Sequence, residues 1–177
     1  MSNMSVKIYS AAVLGLEAEI VEVEAGLGGG QLGSFATVGL PDIAVSEARE
    51  RVRNAIKNSN IDFPHVKVTV NLAPANLKKQ GSGYDLPIAV SIIAALGKLK
   101  NSQVDFDKAL FVGELALDGR LRPVTGVLSI ALSAARHGFL KLFVPAGNAR
   151  EAALVGDIEV LPVNNLDQLI KFLLGKE

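Results

Sequence analysis

Three consecutive stretches decide the fold: Val66-Lys67-Val68-Thr69-Val70-Asn71-Leu72, then the segment from Ala73 to Tyr84, then Asp85-Leu86-Pro87-Ile88-Ala89-Val90-Ser91-Ile92-Ile93-Ala94-Ala95-Leu96. The first alternates apolar and polar residues with the two-residue period of a strand. The second carries Pro74, Lys78, Lys79, Gly81 and Gly83 and reads as a loop. The third places Pro87 in a first turn, where its missing N–H costs nothing, behind Asp85 as an expected N-cap. It is apolar nearly all round, so it is a buried helix. A half-buried strand feeding a wholly buried helix indicates a sheet packed with helices.

The same grammar extends in both directions. Upstream, Val6–Leu14 and Ala18–Glu24 read as strands, the second with Ile20, Val21 and Val23 interleaved with glutamates. The glycine-rich stretch 26–33 is a loop before a short strand, Ser34–Val38. Leu40-Pro41-Asp42 opens a helix with Ala44, Ala48, Val52, Ala55 and Ile56 on one face and Arg49, Arg53 and Lys57 on another. Asn58-Ser59-Asn60 ends it before Phe63-Pro64. Downstream, a strand is expected over Ala109–Leu117, a turn at Asp118-Gly119, a brief strand at Arg120–Arg122 and a helix over Val127–Ala135. Strands follow at Leu140–Val144 and Ile158–Val163. Capping boxes are expected at Asn148/Glu151 and Asn165/Gln168, with a closing helix over Leu166–Leu174. The order predicts one α/β (α+β) domain over residues 1–177, a mixed sheet packed with helices.

Composition narrows the function. The 177 residues carry 18 Lys+Arg against 18 Asp+Glu, so a broadly polycationic nucleic-acid binder is disfavoured and only a local basic patch is left. There is no cysteine, which excludes thiol catalysis, Cys-ligated zinc and a disulfide scaffold. No apolar run reaches the roughly 18 residues of a membrane span. The opening Met1-Ser2-Asn3-Met4-Ser5-Val6-Lys7 lacks the basic and then apolar pattern of a secretion signal. A soluble cytoplasmic protein is the expectation.

Glycine stretch 26–33 is not a phosphate-binding loop, because no Lys-Ser or Lys-Thr follows it and a strand rather than a helix comes next. The two histidines, His65 and His137, lack metal-ligand spacing, so no metal site is expected.

Five motifs in one order resemble the Mg-chelatase-like ComM/YifB family. They are Val38-Gly39-Leu40-Pro41-Asp42 running into Ser46–Arg53; Val70-Asn71-Leu72-Ala73-Pro74-Ala75-Asn76-Leu77; Gly83-Tyr84-Asp85-Leu86-Pro87; Gly113-Glu114-Leu115-Ala116-Leu117-Asp118-Gly119 with Arg122-Pro123-Val124; and Asn148–Leu154. That resemblance implies a domain preceding an AAA+ ATPase module in a hexameric motor that drives DNA branch migration in natural transformation. The chain stops at Glu177 before any P-loop, so the resemblance implies an isolated N-terminal domain. ATP and Mg are then expected only in the absent module, with no cofactor in this chain. The implied partners are that module, neighbouring subunits of the ring, and DNA.

The family's domain is similar to the proteolytic domain of Lon and the C-terminal domain of RadA, with a fold like the second domain of small-subunit ribosomal protein five. Lon-type peptidases use a Ser–Lys dyad, with the lysine as base. Carried over by motif, the serine position falls on Gly83, with Ser82 one residue away, and the lysine position falls on Leu128. No lysine occurs between Leu110 and Leu140, and arginine does not deprotonate. The resemblance therefore implies a non-proteolytic relative; the alternative is a Lon-type serine peptidase module, active or degenerate. For DNA, the expected contacts are Lys78 and Lys79 in the loop and the stripe Arg49, Arg53, Lys57. The plainer reading of the stripe is a solvated helix face paired with Glu47 and Glu50.

Overall fold

The computed structural model describes residues 5–176. Of the opening read above for a secretion signal, residues 1–4 lie outside them. A seven-stranded mixed sheet forms the centre. Its strands are β1 (Ile8–Leu14), β2 (Glu17–Leu27), β3 (Phe35–Val38), β4 (Val68–Ala73), β5 (Ala109–Phe111), β8 (Lys141–Pro145) and β9 (Glu159–Val163). A separate ribbon pairs β6 (Glu114–Leu115) with β7 (Leu121–Arg122). The sheet order is β3-β4-β2-β1-β5-β8-β9. β2 pairs antiparallel with β1 and with β4, while the β3–β4, β1–β5, β5–β8 and β8–β9 pairs are parallel.

Helices cover both faces. Val21, Val23, Val68, Val70 and Leu72 face α1 (Ile43–Asn58), α2 (Asp85–Ala95) and α5 (Leu166–Leu173) in the larger core. Ala11, Leu110, Leu142 and Val144 face α3 (Val127–Arg136) and α4 (Ala149–Ala152) in the smaller one. The side-chain alternation of a strand is what lets one sheet feed two cores. In α1 the inward face is Val45, Ala48, Val52, Ala55 and Ile56, one residue off the expected stripe at its start, because Asp42 caps the helix and Ala44 sits in the outward first turn. α2 is buried over almost its whole length, as its uniform hydrophobicity requires.

Three local expectations are corrected. The strand expected over Ala109–Leu117 breaks after Phe111. Gly113 leaves the sheet to exchange bonds with the loop before α2 and the first turn of that helix: its N–H donates to Gly83 O at 3.0 Å and its carbonyl accepts from Leu86 N at 3.0 Å. Asp85 is not an N-cap; Tyr84 holds that position without a side-chain cap. Asn148 and Glu151 form no capping box. Asn148 instead bonds the N–H and the C=O of Val124, both at 2.9 Å, and Glu151 accepts from Leu128 N at 3.1 Å. At α5 half of the expected box forms: Asn165 Oδ1 accepts from Gln168 N at 2.8 Å, while Gln168 Oε1 accepts from Asn164 N at 3.0 Å.

Candidate functional site

The loop before α2, the β5–β6 junction and the entrance to α3 meet over the first strand. They enclose a cleft of about 400 Å³ lined by Ala11–Val13, Gln80–Tyr84, Val112, Glu114, Pro123–Thr125 and Ile130. Gly83 is on this wall because its main chain approaches β5 closely. A Cβ there would lie 3.2 Å from Val112 Cγ2, tighter than most side chains tolerate. Ser82 lies beside it, half-buried, and its hydroxyl donates to Glu114 Oε2. Leu128, the other position carried over from the Lon dyad, does not line the cleft. It is exposed on α3. Gly83 and Ser82 are thus brought to the cleft and Leu128 is not, and no lysine lines the cleft.

Beneath the cleft floor lies an ion pair that pattern reading missed. Asp85, fully buried, accepts from Arg51 Nε at 2.7 Å and Nη2 at 3.1 Å, and from Leu115 N at 3.0 Å. Arg51 Nη2 also donates to Ala44 O at 2.9 Å. One carboxylate therefore joins α1, α2 and β6. Burial pushes the Asp85 carboxyl up to about 6, and the bonds from Arg51 and Leu115 hold it from rising further. The hydrogen bond to Asp85 raises Arg51. At neutral pH the pair is ionised. The only available signal was an arginine on the inner side of an otherwise solvent-facing basic run.

The expected basic contacts separate. Lys78 is exposed. Lys79 is not: it is fully buried, with its ammonium donating to Gly39 O at 2.6 Å and to Pro74 O. Its main chain also bridges to Pro41. Burial lowers its pKa. The expectation of an exposed Lys78–Lys79 pair is corrected, because the loop folds back against the α1 entrance and needs a donor for two inward carbonyls. Arg49 donates to Phe35 O at 3.1 Å and Arg53 to Gly33 O at 3.2 Å, with the Arg53 guanidinium 4.8 Å above the Phe63 ring. Both tie α1 to β3 and its preceding loop. Lys57 remains exposed at the end of α1.

A third feature is apolar. Leu16, at the β1–β2 turn, is 93% exposed, and Val13, Leu14, Leu128 and Leu132 are exposed as well. Ser129 Oγ donates to Leu16 O at 2.9 Å, which seats the turn on α3 between Leu128 and Leu132. Those two leucines, one helical turn apart, share a face. Among the described residues no His/Asp/Glu group could hold a metal ion, and no helix is long and apolar enough to cross a membrane.

Comparison with known proteins places this architecture. The family model described as subunit ChlI of Mg-chelatase matches residues 21–148. Competence protein ComM of Haemophilus influenzae is 43% identical over 171 residues, covering 96% of this chain and 33% of that protein. YifB of Escherichia coli is 41% identical over 169 residues, with the same coverage. The Lon protease of Azorhizobium caulinodans is 28% identical over 139 residues, 72% of this chain and 15% of the protease. The chain thus spans about a third of the length of the ComM and YifB relatives. The match extends from within β2 to the entrance of α4, across every wall of the cleft except the first strand, and the chain belongs to the Mg-chelatase ChlI family, with ComM and YifB among its relatives.

Proposed function

We propose that this chain is a non-proteolytic accessory domain of a larger AAA+ DNA helicase of the ComM type, acting in ring assembly. One observation carries the first half: the cleft holds Gly83, the position onto which the Lon serine is carried by motif, and no lysine lines its walls. A Lon-type serine gives its proton to a lysine, and Ser82 hydrogen-bonds Glu114 with no lysine on the cleft walls. The assembly half rests on the apolar face at Leu16, Leu128 and Leu132, since soluble proteins seldom leave grouped leucines uncovered. In this reading the face meets a neighbouring subunit or the ATPase module, and ATP and Mg act in that module only.

Sedimentation velocity over a concentration series tests it. The expected result is a mass that rises with concentration and a Leu16→Ser/Leu132→Glu variant that stays monomeric. A chain that is monomeric throughout would remove this face from assembly. Peptidase turnover abolished by Ser82→Ala would replace the accessory reading with the Lon-type peptidase, which the identity to Lon proteases favours and the missing lysine opposes.

DNA contact is a second reading, and its support is narrower. Exposed Lys57 and Lys78 and the partly engaged Arg49 and Arg53 remain for phosphate contact; Lys79 does not.

A further inference from the structure

The cleft has a charge balance that the accessory reading does not use. Glu114 is the one carboxylate on its walls; Tyr84, the other titratable group there, is held as a neutral phenol by burial. The neighbouring carboxylates are already met: Asp85 by Arg51, and Asp42 by the amides of Val45 and Gly81. Glu114 takes part in none of the ion pairs among the described residues. Arg122, opposite it in the β6–β7 register, is exposed and does not pair with it. Ser82 supplies a single hydroxyl to a carboxylate that can accept about four bonds. The opposing walls are hydrocarbon, from Ala11, Val13, Val112 and Val124. Gln80 and Thr125 add neutral oxygens.

We infer that the cleft is a receptor for an alkylammonium group, the chemistry shared by a lysine side chain and a free aliphatic diamine. The ammonium has three donors and no acceptor, which suits Glu114 with the oxygens of Gln80 and Thr125. Its methylene stem packs on the alanine and valine walls, as lysine stems pack on apolar surfaces. Arg51, already bound to Asp85, interacts with Glu114 only from beyond ion-pair distance, so a bound cation supplies the direct partner that this carboxylate lacks. The same charge repels phosphate, so nucleotides and nucleic acid are not occupants. A volume of about 400 Å³ is in the range of small-ligand sites and accommodates a chain of several carbons.

Nitrogen–proton correlation spectra of the folded protein, titrated with n-butylammonium chloride against matched sodium chloride, test the inference. The expected result is saturable movement of the Gly81, Gly83, Glu114 and Thr125 amides at millimolar concentration. 1-Butanol, of the same shape without the charge, leaves them in place. Glu114→Gln weakens binding at least about tenfold while keeping a dispersed spectrum, the scale of one lost ion-pair contact. Ser82→Ala, which keeps the carboxylate, retains binding. If Glu114→Gln does not fold, Glu114→Asp, shorter by one methylene, takes its place and must also weaken binding. N-acetyl-lysine-methylamide and cadaverine form the last two arms: tighter binding of the first identifies a peptide lysine, and of the second a free diamine. Equal shifts with 1-butanol, undiminished binding when Glu114 is replaced, or no saturable shift with any amine overturns the inference.

Discussion

Arg51 and Asp85 form a contact in which each partner depends on the other. Removing one side of a buried, hydrogen-bonded pair leaves an uncompensated charge, which costs about 3–5 kcal/mol. Arg51→Ala is therefore expected to lower unfolding stability by about that amount at pH 7, measured by urea denaturation. The pH dependence has a definite sign. The folded-state carboxyl of Asp85 lies above its ordinary value of 3.8, at about 6. The folded state thus holds the proton more tightly than the unfolded chain does. Its contribution to stability is fully present below about pH 4 and is lost as pH rises through about 6. Relative to Asp85→Asn, the wild type should lose stability across that window, and a flat difference would contradict the assignment. Lys78 and Lys79 give a second contrast at this scale. Lys79→Glu places a carboxylate against two inward carbonyls and should cost about 3 kcal/mol or more, whereas Lys78→Glu should fall within about 0.5 kcal/mol of wild type. Thermal unfolding of the two single variants checks this. A Lys78/Lys79 double variant would confuse loss of fold with loss of DNA contact.

At the scale of elements, glycines mark where strands and turns come too close for a side chain. Gly39, between β3 and α1, has φ of 106°, and a Cβ there would lie 1.9 Å from Leu72 O on β4. Gly15, in the β1–β2 turn, has φ of 62° but open space around its Cβ position. Gly15→Ala should cost only the left-handed backbone term of about 1–2 kcal/mol. Gly39→Ala should cost more, because strand β4 must also move. Comparing the two by denaturant midpoint isolates the packing contribution, and equal losses would contradict it. The pattern of elements was largely legible. A strand's period of two and a helix's period of 3.6 are local, so β2, β4, α1, α2 and α5 could be read close to where they stand. The break at Val112–Gly113 was not legible, since it depends on bonds to Gly83 and Leu86 about thirty residues away. The capping pattern at Asn148 failed for the same reason: Val124 competes for the side chain.

For the whole molecule, zero net charge and dispersed basic groups set the expectation for nucleic acid. Fluorescence anisotropy with labelled single- and double-stranded DNA should give binding that is weak and falls steeply with salt, if any DNA path runs over Lys57 and Lys78. Lys57→Glu/Lys78→Glu should abolish it without loss of fold. Absence of binding at low salt would leave the apolar face as the working surface.

Periodicity and composition were enough to determine an α/β chain with one buried helix, no cysteine chemistry and no metal spacing, and five ordered motifs were enough to point to its family. Those properties depend on neighbours in sequence or on residue identity alone. Only the tertiary structure decided which charges are usable. Lys79 and Arg51 look like surface cations in a string of letters, yet one is buried beneath carbonyls and the other is bound to a carboxylate on another helix. Glu114 looks like any strand glutamate until Gln80–Tyr84, Thr125 and the first strand close around it. Desolvation and pairing depend on what the chain brings within a few ångströms, and that distance is set by the packing of the whole sheet and its helices.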